Sequence, residues 1–256
     1  MSEILLDAQS ICKNFGGVNA LQNVSISIPR GSIYGLIGPN GAGKTTLFNV
    51  ITGLYKADSG SIELNQQAIL NIKPNLIVQA GIARTFQNIR LFGHMTALEN
   101  VMVARHVKSK TGVLGAIFRT AAVRAEERSI CDKAMELLNY VGLSSRANKV
   151  AKELSYGEQR RLEIARALAT EPQLIALDEP AAGMNPSERL ALRDLMQKIN
   201  ADGKTVLLIE HDVKLVMGLC SKVAVLDFGQ KIAEGLPAEV QKNPSVITAY
   251  LGATPT

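Results

Sequence analysis

The sequence predicts an α/β fold: a parallel sheet with helices on its faces, preceded by an antiparallel β subdomain and interrupted by an inserted helical subdomain. Three observations predict it. The first sixty-odd residues are short, partly alternating segments broken by turn residues. From Thr96 to Val141 the apolar residues recur at three- and four-residue steps. Beyond that stretch, apolar strand-like runs alternate with amphipathic helices, the order of a parallel sheet.

Taken in order, LLDAQSICKNF and NVSISIP alternate as half-buried strands, SIYGLIG is a nearly continuous apolar run, and GSIELN alternates again. Pro29-Arg30-Gly31 and Asp58-Ser59-Gly60 supply the turns. In the helical stretch, Ile130, Ala134, Leu137, Leu138 and Val141 share one face. There follow a helix (GEQRRLEIARALAT), a strand (LIALD), a helix (SERLALRDLMQKIN), a strand (TVLLIEH) and a hairpin-like VAVLDFGQKIAEG. The chain is predicted to be one domain, 1–256, with a core of 1–90 and 160–256 and a helical insertion of about 91–159.

The 256 residues, 46% hydrophobic and 20% charged, are enough for one sizeable core. Lys and Arg number 28 against 23 Asp and Glu, an excess that permits an anionic partner without requiring one. No apolar run approaches the roughly 20 residues of a membrane-spanning helix, and MSEILLDAQS lacks the form of a signal peptide. The expectation is a soluble chain that stays where it is made. Cys12, Cys131 and Cys220, like His94, His106 and His211, are scattered and offer neither a disulfide framework nor metal-ligand spacing. Asn23-Val24-Ser25 has the form of a glycosylation acceptor but reads as ordinary strand-forming sequence.

The segment Gly38-Pro39-Asn40-Gly41-Ala42-Gly43-Lys44-Thr45 matches G-x-x-x-x-G-K-[ST] between a buried strand and a helix. With average glycine usage of about 7%, a chance match in a chain this long is on the order of one per cent. Its glycines let backbone N–H groups face phosphate oxygens. Lys44 can reach the β- and γ-phosphates, and the Thr45 hydroxyl can ligate Mg²⁺. With Thr46, these residues form the predicted nucleotide-binding set. Such a site needs a carboxylate on a neighbouring strand, and Asp178 ends LIALD. Glu179 follows, where it can orient or deprotonate an attacking water. In Leu154-Ser155-Tyr156-Gly157-Glu158-Gln159, Ser155 and Glu158 read as a capping box. A helix N-terminus with a glycine and a hydroxyl is also an anion site, yet the phosphate loop lies elsewhere in this chain; if this second site of Ser155, Gly157 and Glu158 is used, it most simply serves a nucleotide held by another subunit.

In combination, order and spacing, these motifs make the chain resemble an ATP-binding cassette (ABC) ATPase over nearly its whole length. The resemblance implies a P-loop NTPase (RecA-like) core with ATP and Mg²⁺. It implies that Phe15 stacks on adenine, that Gln87 contacts Mg²⁺ and the attacking water, and that His211 touches the γ-phosphate, joining Glu179 in catalysis. RTFQNIRLF, LSYGEQRRLEIARAL, DEPAAGMNP, LLIEHDVKLVMGLC and ITAYLG resemble the ATP-binding subunits of branched-chain amino acid importers. The implied partners are transmembrane permease subunits, a second ABC ATPase subunit and, indirectly, a secreted solute-binding protein, at the cytoplasmic face of the inner membrane. No nucleic acid is expected. Cassettes that drive lipid or polysaccharide export share the core, and soluble cassettes acting on DNA or ribosomes carry coiled coils or paired cassettes for which there is no room here. Asp227-Phe228-Gly229 lacks the companion motifs of a protein kinase and reads as a hairpin turn. Two departures stand out: Tyr156 and Glu158 replace the commoner Gly and Gln, and Asn185 stands where Asp is usual. Between Arg105 and Arg128 lie Arg105, Lys108, Lys110, Arg119, Arg124 and Arg128 against Glu126 and Glu127, readable as a solvated face or as an approach to lipid headgroups or permease loops.

Overall fold

The computed structural model describes residues 3–108 and 121–251. Two long strands, β1 (Ile4–Phe15) and β2 (Val18–Pro29), pair antiparallel, and β4 (Ser59–Leu64) and β5 (Gln67–Ala68) extend them in the order β2-β1-β4-β5. Register shifts bulge the long pair, and Ser10 and Asn23 take positive φ there. Asn23 therefore belongs to a paired strand.

The second sheet is built from β3 (Ile33–Ile37), β6 (Ile82–Arg84), β7 (Leu174–Asp178), β8 (Thr205–Ile209), β9 (Lys222–Asp227) and β10 (Gln230–Gly235), in the order β10-β9-β3-β8-β7-β6. All its pairs are parallel except the β9–β10 hairpin. Strands β3, β7 and β8 are buried at every position, as their unbroken apolar runs require of strands covered on both faces. The three-residue β6 and the helix Pro74–Ala80 lie in a stretch where the sequence reading placed no element; both are too short for a periodic signal. The apolar faces of the two sheets and of α1 (Lys44–Ile51) share one core, which includes Leu6, Ile26, Tyr34, Leu36, Phe48 and Leu207.

The chain divides into two compact units, one of Met1–Arg84, Gln173–Ala182 and Arg193–Thr256 and one of Thr85–Pro172 and Gly183–Leu192. The second is wider than the predicted insertion. It takes in the segment from Thr85 and the whole helix Tyr156–Leu168, which packs on the helices Ala97–Arg105 and Ala121–Tyr140. Of the residues predicted to share a helical face, Ile130, Ala134, Leu138 and Val141 are buried and Leu137 is half-buried. In the basic stretch, Lys110 and Arg119 lie outside the described residues. Arg105 pairs with Glu171 at 2.7 Å, while Arg124 and Arg128 are exposed.

Candidate active site

Within the first unit, the residues of interest sit at the carboxyl ends of β3, β7 and β8, where open parallel sheets place their ligands. The phosphate loop leaves β3 and enters α1 with Gly41 and Gly43 at φ +80° and +99°. At two positions the loop has no room for a side chain. A Cβ at Gly38 would stand 2.1 Å from the Leu226 carbonyl oxygen, and one at Gly43 would stand 2.7 Å from that of Ala20. Lys44, 8% exposed, donates from Nζ to the carbonyls of Gly38 (2.8 Å) and Pro39 (2.9 Å). Burial holds its ammonium below the usual lysine range, against the opposing pull of Glu179 and Asp178. Thr45 and Asn40 are exposed, and Thr46 is half-buried. A cleft of about 510 Å³ runs beside Gly41 to Thr46 and is bounded by Asn19, Ala20, Phe228 and Gly229.

Asp178 closes β7 and is 3% exposed, with Arg84 Nη2 at 3.9 Å from its carboxylate. Arg84 also donates to Asn49 of α1 and to Thr52, which caps its end, and lies over the Phe48 ring at 4.5 Å. One half-buried guanidinium thus ties the acidic strand to the helix that follows the phosphate loop. Glu179 adopts φ +45°, a conformation a non-glycine residue holds only when its surroundings impose it. Its N–H donates to Ile209 at the end of β8 (2.9 Å). The His211 Nδ1 lies 3.7 Å from Glu179 Oε2 and 3.8 Å from Glu210 Oε2, and the His211 side chain is 60% exposed. Glu210 is 1% exposed and accepts from the Ala181 N–H at 2.9 Å, while its Oε2 has no hydrogen-bond partner. Burial pushes the Glu210 carboxyl above the usual range.

Phe15 is 44% exposed, so it is not a core residue; it meets Tyr55 edge-on at 5.2 Å, with Lys13 Nζ 5.2 Å from its ring. The Tyr250 hydroxyl, raised by burial and drawn partly back by the backbone N–H of Gly38, brings the helix Pro244–Leu251 beside the phosphate loop.

In the second unit, Ser155 is the N-cap of the helix Tyr156–Leu168, and the capping box is complete: the Ser155 hydroxyl accepts from the Glu158 N–H (3.3 Å), and the Ser155 N–H donates to Glu158 Oε2 (2.9 Å). That backbone donor, joined by Arg146, holds the Glu158 carboxyl below its usual range. Gly157 is buried, and a Cβ there would come within 2.5 Å of Glu188 Oε1. Gln87 is exposed in the segment after β6. Asn185, the departure from Asp, performs a local task that Asn and Asp share. Its Oδ1 accepts from the Ser187 hydroxyl (2.7 Å) and the Glu188 N–H (2.9 Å), capping the helix Pro186–Ala201.

The model described as "ABC transporter" matches residues 21–182. The chain belongs to the ABC transporter family. A second model, "Branched-chain amino acid ATP-binding cassette transporter", matches residues 230–254. The cassette is 45% identical over 253 residues to the high-affinity branched-chain amino acid transport ATP-binding protein LivG of Salmonella typhimurium, covering 98% of this chain and 99% of that one. It is 44% identical, with the same coverage, to the corresponding protein BraF of Pseudomonas aeruginosa. The crystal structure of the ADP conformation of MJ1267, an ATP-binding cassette of an ABC transporter, superposes with a TM-score of 0.85 at 36% identity, covering 98% of this chain and all of that one. The cassette is an ATP-binding, ATP-hydrolysing transport subunit with a P-loop NTPase fold.

The structure brings Gly38 to Thr46, Asp178, Glu179 and His211 together in the first unit, which also carries Phe15. Gln87, Ser155, Gly157 and Glu158 belong to the second. Sequence reasoning missed Arg84, Glu210 and Arg160. Arg84 and Glu210 each stand beside a recognised motif residue, and only their contacts in the fold reveal them.

Proposed function

We propose that this cassette hydrolyses ATP with Glu179 as general base and energises import of branched-chain or other hydrophobic amino acids. The observation that carries the catalytic part is the grouping in the first unit of Asp178, Glu179 and His211, at the carboxyl ends of β7 and β8, with Lys44 of the phosphate loop, and Glu179 is held in a strained conformation beside His211. Lys44 and the loop N–H groups hold the phosphates. Glu179 takes the proton of the attacking water, and His211 steadies the γ-phosphate. The Thr45 hydroxyl and the Asp178 carboxylate are hard oxygen donors of the kind Mg²⁺ takes, joined by Gln87 and the nucleotide's own oxygens. Bound there, Mg²⁺ neutralises charge developing on the phosphates. Phe15, exposed and ring-paired with Tyr55, offers its face to adenine.

Ser155, Gly157 and Glu158 serve a nucleotide bound by a second cassette, so two subunits close over two ATP molecules and reopen after hydrolysis. Permease subunits convert that motion into transport, supplied by a secreted solute-binding protein. Among the described residues no helix is long and apolar enough to cross a membrane, which fits a peripheral place on the cytoplasmic face. The substrate assignment is supported by the similarity to LivG and BraF and by the match at residues 230–254. The test is uptake of labelled leucine by cells lacking this chain and complemented with it. Wild type restores uptake, and Glu179→Gln binds ATP without restoring it. Normal turnover by Glu179→Gln sinks the base assignment. Recovery from detergent extracts with ribosomes or DNA, and no permease, sinks the transport reading.

A further inference from the structure

Inside the second unit, the backbone around Gln87 is held by side chains of the helix Tyr156–Leu168. Arg160 and Glu163, 2% and 1% exposed, form an ion pair of 3.3 Å and turn their remaining atoms on the Gln87 segment. Arg160 Nη1 donates to the Phe86 carbonyl at 2.6 Å and Nη2 to that of Gln87; Glu163 Oε1 accepts from the Phe86 N–H at 3.2 Å. The last two N–H groups of the guanidinium, on Nη2 and Nε, go to the Tyr156 hydroxyl at 2.8 and 3.2 Å. Arginine has five N–H donors, and all five are used. A buried guanidinium so completely bonded has one position available to it.

Tyr156 also reaches the loop after Glu179. Gly183 takes φ +73°, and a Cβ there would lie 3.4 Å from the Tyr156 ring. One side chain therefore touches the helix that Ser155 caps, the clamp on Gln87 and the Gly183 loop. A glycine at 156 would supply neither the hydroxyl nor the ring.

We propose that Tyr156 and Arg160 are positioning residues for ATP hydrolysis: the Tyr156 hydroxyl seats the Arg160 guanidinium, and Arg160 fixes the backbone from which the Gln87 amide is presented. A shift at the Ser155 turn is then transmitted to Gln87 through two side chains. This rests on the role of Gln87 given above.

The test is a double-mutant cycle in the full chain with Mg²⁺ and ATP, using Tyr156→Phe, Gln87→Ala and the double variant. Tyr156→Phe keeps the ring on Gly183 and removes acceptors for two buried charged donors. Its kcat should fall about tenfold, the scale of one lost hydrogen bond to a charged group, with KM for ATP unchanged. In the Gln87→Ala background the same substitution should leave the residual rate within about twofold, because the group it positions is gone. Arg160→Lys, which keeps the charge but loses the fork, should reproduce the pattern. An equal loss in both backgrounds, or a Tyr156→Phe rate within about twofold of wild type, overturns the proposal. Undiminished turnover in Gln87→Ala overturns it together with the assigned role of Gln87, whereas a slowed Gln87→Ala with additive effects overturns the positioning alone.

Discussion

Glu210 shows how much of this site is carried by residues to which no motif assigns a role. Buried beside His211, it bonds the Ala181 N–H through one oxygen and leaves the other without a hydrogen bond, 3.8 Å from His211 Nδ1. Its folded-state carboxyl titrates above the usual 4.5, so between those two values the native chain holds a proton that the unfolded chain has lost. Stability from this group is present at low pH and falls as pH rises through that window. Glu210→Gln, which keeps the acceptor for Ala181, should raise the melting temperature at neutral pH and flatten its decline from acid to neutral. A thermal melt series across that range checks it; a Gln variant less stable than wild type at neutral pH would reverse the inference. The phosphate loop, Asp178 and Glu179 were legible in the sequence because each depends on a contiguous run placed at a strand end. Glu210 and Arg84 were not, since their roles come from neighbours far along the chain.

At the scale of elements, two helices begin with capping boxes that hold site residues in place. The Ser155–Glu158 box was readable from a three-residue spacing, because capping is a local interaction. Ser155→Ala and Asn185→Ala should each cost about 1 kcal/mol of stability, measured by denaturant melts, while Asn185→Asp should cost almost nothing. The Glu158 contribution has the opposite pH sense to that of Glu210: it is present above the usual 4.5 and lost as pH falls through the lowered folded value. Protection of the Ser155 amide against hydrogen exchange should therefore fall in acid ahead of that of the helix interior. The clamp of Arg160 and Glu163 on Phe86 and Gln87 was illegible for a different reason. Both side chains fall on a face of an amphipathic helix where the sequence shows only charges, and nothing local says that those charges are buried.

For the whole molecule, the order of strands and helices carried the fold class, and the predicted strand-helix alternation is present in the second sheet. The domain limits were less legible. Residues 85–90 and the helix Tyr156–Leu168 join the second unit through packing that leaves no mark on composition. The two-subunit reading predicts that Glu179→Gln, which binds ATP without consuming it, elutes as a dimer in ATP and as a monomer without it. An elution volume insensitive to ATP would count against closure over two nucleotides.

The hairpin of β9 and β10 adds one more consequence. At its tip the Gly229 N–H donates to Ala42 at 3.0 Å, and its carbonyl accepts from the Gln22 N–H at 2.7 Å, while a Cβ on it would press within 2.8 Å of Ala20. The segment that pins the phosphate loop is therefore made long after the loop itself. On a ribosome, a nascent chain would display the complete loop sequence for most of its synthesis without this brace. The braced form of the loop is therefore open only to a chain synthesised past residue 229.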